Sequence, residues 1–219
     1  MDVKTAIQTG DAVTLRRLLA ERHANADELV RWGPNCNITT HPLHFVSDML
    51  FNGALRAGQE LPLINALIEA GANVDFQKPA RVSPRDGYGE TPLIGAASLG
   101  AEEVGLRLVD AGARPELRGI IGETALHWAA IMGADRLVHR LIQRGAPLEV
   151  RDEKYQATPL GWAVHGGTDA PAGAKRGRHC EVVLLLVAAG ATVEAAWLKD
   201  EKVRADTAML AALGGGMVR

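Results

Sequence analysis

The side chains best suited to chemistry are histidines and a cysteine near predicted helix starts. His41 and His44 lie three residues apart, a spacing at which two imidazoles could bind one metal ion. No carboxylate or thiol stands beside them at a ligand spacing, so a structural role is the preferred interpretation. Cys180 lies between His179 and Glu181 at a predicted helix start, a position that can lower the pKa of a thiol. Apolar residues follow it, which favours a small core residue instead.

The motifs of common catalytic sites are missing from the sequence. It contains no Gly-rich phosphate loop of known spacing, no Gly-x-Ser-x-Gly and no His-Glu-x-x-His. We therefore predict no catalytic residue, no cofactor and no bound metal, and a protein that is not an enzyme.

The charge balance and the cysteine content narrow the class of partner and the compartment. Lys and Arg number 24 and Asp and Glu 26, so no bulk positive charge favours nucleic acid or an anionic membrane surface. Two widely separated cysteines, Cys36 and Cys180, cannot form a disulfide framework, which predicts a reducing cytoplasm. Residues Met1–Gly10 lack the apolar run of a signal peptide, and the run Val182–Ala189 is too short to span a bilayer.

The elements that must position these residues are marked by two repeated signals. The first is a Gly-Ala pair, which begins at Gly71, Gly112, Gly145 and Gly190. The second is a Thr-led motif, found as Glu90–Leu93, Glu123–His127 and Ala157–Leu160. The interval from Thr91 to Gly112 is the same as the interval from Thr124 to Gly145. Two signals in constant phase indicate a structural repeat.

Each repeat contains the signals of a helical hairpin. Thr can cap a helix, and Pro is tolerated at the first helical position. First helices are predicted at Leu93–Leu99, Leu126–Met132 and Leu160–His165. Small Ala-Ala or Ala-Val pairs in them allow close packing, and Gly100 and Gly133 end the first two. A second helix with apolar residues at helical spacing follows in each repeat.

The motif Thr124-Ala125-Leu126-His127-Trp128-Ala129-Ala130 resembles the Thr-Pro-Leu-His-x-Ala motif of ankyrin repeats, which have a 33-residue period. The resemblance implies an all-α fold, an ankyrin-repeat solenoid of stacked helix-turn-helix units with β-turn fingers. It implies a single domain over 1–219, divided into a capping repeat with an irregular loop (1–40), a repeat with an extended first helix and long finger loop (41–90), two regular repeats (91–123 and 124–157), a repeat with an insertion (158–194) and a C-terminal cap (195–219).

Two of the repeats are longer than the regular ones. The motif at His41–His44 lies farther from Gly71 than Thr91 lies from Gly112, so its first helix is expected to run toward Ala57. Thr158 likewise lies farther from Gly190 than Thr124 lies from Gly145, which predicts an insertion within this repeat. Residues 23–40 match the repeat least well.

Two further interpretations depend on the resemblance. The histidine of the motif ties turns together in this family, so a structural role is expected for His127. Trp128 and Trp162 occupy equivalent motif positions, where the family usually has a buried aliphatic residue. We expect them to pack in the core and stack one repeat apart, although a tryptophan pair could also line a ligand groove.

Ankyrin arrays usually bind partners through a concave face of finger tips and first helices. The residues predicted to contact a protein partner there are Tyr88, Leu99, Ile120, Ile121, Ile131, Met132, Tyr155 and His165. Met132 and the two tyrosines are the expected anchors. Such an apolar strip is typical of an interface, unless the long loops fold over and bury it.

The insertion supplies a second candidate surface. Lys175, Arg176 and Arg178 could bind an acidic or phosphorylated group of a partner, or could belong to a solvated loop. The leading hypothesis is a protein–protein interaction module, monomeric alone, that acts as a scaffold, adaptor or inhibitor. The alternative is a small-ligand-binding or catalytic protein with a pocket formed by the insertions. A spacer with a polar concave face is a weaker third possibility.

Overall fold

The computed structural model describes residues 1–21, 25–36, 38–79, 89–168 and 178–214. The helices in this part are α1 Val3–Gln8, α2 Ala12–Ala20, α3 Pro42–Phe51, α4 Glu60–Glu69, α5 Pro92–Ser98, α6 Glu102–Asp110, α7 Ala125–Ile131, α8 Asp135–Gln143, α9 Pro159–Thr168, α10 His179–Ala188, α11 Glu201–Ala205 and α12 Thr207–Gly214. Short 3-10 turns lie at Pro34–Cys36 and Trp197–Lys199, and the strands are β1 Val30–Trp32, β2 Ile38–Thr40, β3 Lys78–Pro79 and β4 Gly89–Glu90.

The described residues form two compact units, one ending at Arg114 and one beginning at Pro115. In the first unit α1, α3 and α5 pack in one row, and α2, α4 and α6 in a second. In the second unit α7 packs against α9 and α8 against α10, while α12 packs against α10 and α11. The predicted all-α hairpin architecture is confirmed.

The predicted caps begin and end the first helices. The Thr91 hydroxyl accepts the N–H of Ile94 at 3.1 Å, and His41 Nδ1 accepts the N–H of Leu43 at 3.2 Å. Gly100 and Gly133 follow α5 and α7 with φ of 68° and 66°, in the left-handed region that favours glycine. The motif therefore works through backbone hydrogen bonds that helix ends otherwise lack.

Helix α3 ends earlier than predicted. It stops at Phe51, not near Ala57, although it is three residues longer than α5. Gly53 has a φ of 74°, and the N–H of Leu55 returns to the carbonyl of Met49 at 3.1 Å. This turn places Leu55 in the core with 3% of its surface exposed.

The segment that matched the repeat least well contains an antiparallel hairpin. Strands β1 and β2 pair Val30 with Thr40 and Trp32 with Ile38. The Trp32 ring lies 5.5 Å from the ring of Phe45 in α3, so the hairpin packs on the first full repeat. This hairpin was not predicted.

Among the described residues, a carboxylate placed four residues after a Gly-Ala glycine accepts a backbone N–H of the next repeat at two places. Asp75 Oδ1 accepts the N–H of Arg114 at 2.9 Å, and Glu149 Oε1 accepts the N–H of Thr192 at 2.8 Å. Each acceptor lies four residues after a Gly-Ala glycine, and each donor two residues after the next one. Glu116 has the same phase, but its partner position is Pro147, which has no N–H to donate.

This difference predicts unequal effects of two matched substitutions. Asp75→Ala removes the acceptor for the Arg114 N–H and an ion pair of 2.9 Å with the Arg114 side chain. We expect it to lower the free energy of unfolding by about 1–2 kcal/mol. Glu116→Ala should change it by less than about 0.5 kcal/mol. Urea unfolding followed by circular dichroism measures both, and equal effects would contradict a role for this bond.

Candidate partner-binding site

A pocket of about 500 Å³ opens in the second unit between α7, α9 and the loop 152–157 that precedes α9. We call it the aromatic pocket; its lining residues are Trp128, Ile131, Tyr155, Ala157, Gly161, Trp162 and His165. Gly161 and His165 are four residues apart and therefore share one side of α9. The pocket is thus assembled from two consecutive first helices, α7 and α9, and the loop 152–157. We call this loop the finger of α9.

Aromatic rings meet at steep angles in the wall of the aromatic pocket. The Trp128 and Trp162 rings have centroids 4.9 Å apart and planes at 85°, and the Tyr155 ring lies 6.1 Å from Trp162 at 73°. His127 meets Trp162 from another direction, at 5.3 Å and 79°. Edge-to-face pairs of this kind stabilise by about 0.5–1.5 kcal/mol each beyond the burial of their surface.

The buried carboxylate of Asp152 fixes the finger. Its Oδ1 accepts the N–H groups of Lys154 at 2.9 Å and Tyr155 at 2.5 Å, while its Oδ2 accepts the N–H of Ala157 at 3.1 Å. Oδ2 also accepts the indole N–H of Trp162 at 3.0 Å. Burial alone raises the pKa of Asp152, but these donors outweigh it and hold the pKa below its usual value. The finger therefore folds around an anion.

Glu123 has a similar role in the preceding finger, the loop that leads into α7. Its carboxylate accepts the indole N–H of Trp128 at 3.3 Å and the N–H of Ile121 at 2.9 Å, and its side chain is buried. The N–H of Glu153 donates to the carbonyl of Ile121 at 2.7 Å, so the two fingers are joined through their backbones. Trp128 and Trp162, the two tryptophans of the aromatic pocket, thus each donate an indole N–H to a carboxylate.

His127 links the two repeats as the resemblance implied. Its Nδ1 accepts the backbone N–H of Thr124 at 3.0 Å, and its Nε2 donates to the carbonyl of Ala157 at 3.2 Å. Burial lowers the pKa of His127 to about 4, so the ring is neutral at neutral pH.

Three of the predicted contact residues line the aromatic pocket, namely Ile131, Tyr155 and His165. Ile120 and Ile121 lie in the neighbouring finger and are not among its lining residues; Ile120 is 49% exposed and Ile121 half-buried. Leu99 is half-buried at the end of α5 in the first unit. Tyr88 lies outside the described residues.

The prediction that Met132 is an exposed anchor is wrong. Its side chain is 2% exposed. Ala125, Ala129 and Met132 follow each other by four and three residues, which places them on one face of α7, and all three are buried. Met132 is a core residue, and Ile131 takes the half-exposed position beside it.

The tryptophans combine the two interpretations that the sequence allowed. Trp162 is 5% exposed, as expected of a core residue, whereas Trp128 is only half-buried, and both line the aromatic pocket. They meet edge to face, so the expected stack is wrong. The sequence signal nearest to the pocket is Gly161, a lining residue that stands at the motif position of His127 and whose missing side chain lets Trp197 and Ala157 approach its Cα.

The basic end of the insertion is anchored to the preceding repeat. Arg178 Nη2 donates to Asp135 Oδ2 at 2.9 Å, and its Nε lies 2.8 Å from Asp135 Oδ1, so the two side chains form an ion pair. Next to it, His179 Nε2 donates to the carbonyl of Ile131 at 2.9 Å. Arg178 is therefore paired within the chain, whereas the sequence left open an acidic partner group or a solvated loop. Lys175 and Arg176 lie outside the described residues.

The histidine and cysteine considered for metal binding or thiol chemistry, His41 and Cys180, lie in surroundings that favour a structural role. His41 Nε2 lies 2.9 Å from Asp27 Oδ1, and its ring stacks on Phe76 at 4.6 Å. In the described part of the chain no group of three or more His, Cys, Asp or Glu side chains could hold a metal ion. Burial, with Asp206 and Glu181 nearby, raises the pKa of Cys180, which disfavours a reactive thiolate.

Comparison with known proteins agrees with this geometry. A family model of three ankyrin-repeat copies matches residues 50–152, and a second ankyrin-repeat model of many copies matches residues 126–187. The chain belongs to the ankyrin-repeat family. No curated protein matches the sequence significantly. None of the described helices combines the length and the apolar character that crossing a bilayer would require.

The lowered pKa of His127 predicts a loss of stability in mild acid. The unfolded histidine, with a pKa near 6.5, binds a proton that the folded one does not bind until about pH 4. The contribution is complete above pH 6.5 and is lost as the pH falls toward 4, by a total on the order of 3 kcal/mol. Urea unfolding between pH 7 and pH 4.5 measures this slope. His127→Asn should make it shallower, and an unchanged slope in that variant would assign it to other groups, among them His41, whose pKa burial also lowers.

Proposed function

We propose that this protein is a scaffold, adaptor or inhibitor that binds a protein partner through the aromatic pocket and the fingers beside it. Ankyrin repeats are generally protein–protein interaction modules. The observation that supports this specific role is Tyr155. It lines the pocket and is 61% exposed, while the N–H groups of its finger are fixed by buried Asp152.

An exposed tyrosine on a fixed backbone suits an interface. Tyrosine and tryptophan are enriched among the residues that dominate binding energies, especially where they border a desolvated pocket. A rigid finger loses little conformational entropy on binding, so more of the contact energy remains as affinity. Ile120, 49% exposed on the joined finger, would extend the same apolar surface.

Binding of a small ligand is the second candidate. A volume of about 500 Å³ with an apolar lining falls within the usual range of small-molecule sites. Of the described residues that line the pocket, Tyr155 and His165 are the titratable ones, and a catalytic site would place more converging groups there. The exposure of Tyr155 favours a macromolecular partner over a small ligand. We further propose that the protein is a monomer, that it acts in the cytoplasm, and that its partners include neither nucleic acid nor membrane.

Truncation of Tyr155 should separate these candidates. Peptides selected from a random display library on the full chain are expected to bind Tyr155→Ala more weakly, by about 2 kcal/mol or roughly 30-fold. Fluorescence anisotropy measures the affinities, and circular dichroism checks that the variant is folded. The exposed position of Tyr155 makes a large loss of stability unexpected.

Leu184→Ala is the matched control. Leu184 is 50% exposed on α10 in the same unit and does not line the pocket, so its removal should leave the affinity within about twofold. Equal affinities for both variants would exclude the aromatic pocket as the partner site. A library that yields no peptide, together with a small molecule that saturates the pocket, would favour the second candidate.

A further inference from the structure

The aromatic pocket is backed by negative charge. Asp152 and Glu123 are buried, and each accepts the indole N–H of a tryptophan that lines the pocket. A carboxylate that accepts an indole N–H adds electron density to the ring system, which strengthens the attraction of the ring faces for cations. Buried charges are also screened less by solvent than surface charges.

One cation of the chain already contacts this aromatic wall. The ammonium of Lys154 lies 4.9 Å from the centroid of the Tyr155 ring, within the range of a cation–π contact. The Tyr155 ring is therefore placed where a positive charge is stabilised. The same lysine would repel a second cation and so lower its affinity for the pocket. Removing the charge of Lys154 should therefore raise that affinity.

Three properties of the pocket select among cations. It is apolar, its aromatic planes stand at 73–85° to the Trp162 ring, and its volume of about 500 Å³ accommodates a long side chain. Guanidinium is more weakly hydrated than ammonium and packs well on aromatic faces, so it loses less on leaving water. Arginine also carries an apolar stem, which suits the apolar part of the lining that Ile131 and Ala157 provide.

We propose that the aromatic pocket binds an arginine side chain of the protein partner. The proposal rests on the proposed function and names the chemistry of the group that enters the site. An acidic anchor would be repelled by the two carboxylates, and an aliphatic anchor would gain nothing from them. Arginine, with tryptophan and tyrosine, is one of the residues enriched at the energetic centres of interfaces.

Three capped tripeptides that differ in one side chain test this proposal. Acetyl-Gly-X-Gly-amide with X as arginine, citrulline or leucine is titrated into the full chain, and the indole N–H signals of Trp128 and Trp162 are followed by NMR. Citrulline has nearly the shape of arginine without its charge. We expect the arginine peptide to bind about fivefold or more tightly than the citrulline peptide.

Variants of the finger provide the controls. Lys154→Gln removes the resident cation and should tighten binding of the arginine peptide while leaving the citrulline peptide unchanged. Tyr155→Phe keeps the ring and should retain binding, whereas Tyr155→Ala should lose it. Leu184→Ala, outside the pocket, should bind like the unmodified chain.

The outcomes distinguish this proposal from the proposed function. Equal binding of the arginine and citrulline peptides would overturn the role of charge. Tightest binding of the leucine peptide would overturn the arginine proposal but support a partner with an apolar anchor. No binding of any peptide at millimolar concentration would also overturn it, and the library selection with Tyr155→Ala would still decide independently whether the pocket binds a partner.

Discussion

The buried carboxylate of Asp152 is the interaction on which the aromatic pocket depends. It holds three backbone N–H groups of the finger and the indole of Trp162, so one side chain fixes both the loop and the helix that follows it. Losing an acceptor of four buried or half-buried donors would leave several of them unsatisfied, each at a cost of about 1–3 kcal/mol. Glu123 repeats this arrangement on a smaller scale for Trp128. The position of both tryptophans is therefore a consequence of finger electrostatics as well as of core packing.

Most of the helical architecture could be predicted because it is determined locally. The phase of Thr91 with Gly112, and of Thr124 with Gly145, identifies hairpins whose caps and turns need only neighbouring residues. The end of α3 was harder to predict. Gly53 lies in the turn after the helix, and this turn brings Leu55 back to the core, a tertiary contact that the local sequence does not indicate. The hairpin over 30–40 lacks such a signal, as its strands are three residues long and its stability comes from tertiary packing.

The site was only partly predictable because its members come from different repeats. Counting along the motif placed Tyr155 at a finger tip, where it is 61% exposed, but it also placed Ile131 at an exposed position, and Ile131 is half-buried. It misassigned Met132, because a shift of one residue on a short helix changes the side of the helix that a side chain occupies. Gly161 lines the pocket at the motif position where the preceding repeat has His127. The shape of the pocket depends on the Trp162 and Tyr155 rings, whose placement no local pattern specifies.

The backbone next to Tyr155 shows that the finger is held in one shape before any partner arrives. Gln156 has a φ of 54°, a left-handed conformation that costs a non-glycine residue on the order of 1–2 kcal/mol. Its carbonyl accepts a hydrogen bond from Arg151, and Arg151 in turn pairs with Glu194 at 2.9 Å in the next repeat. Such strain persists only where surrounding bonds over-determine the conformation. A partner therefore meets a tyrosine whose backbone is already fixed, and the ordering cost of binding falls mainly on the partner's own segment.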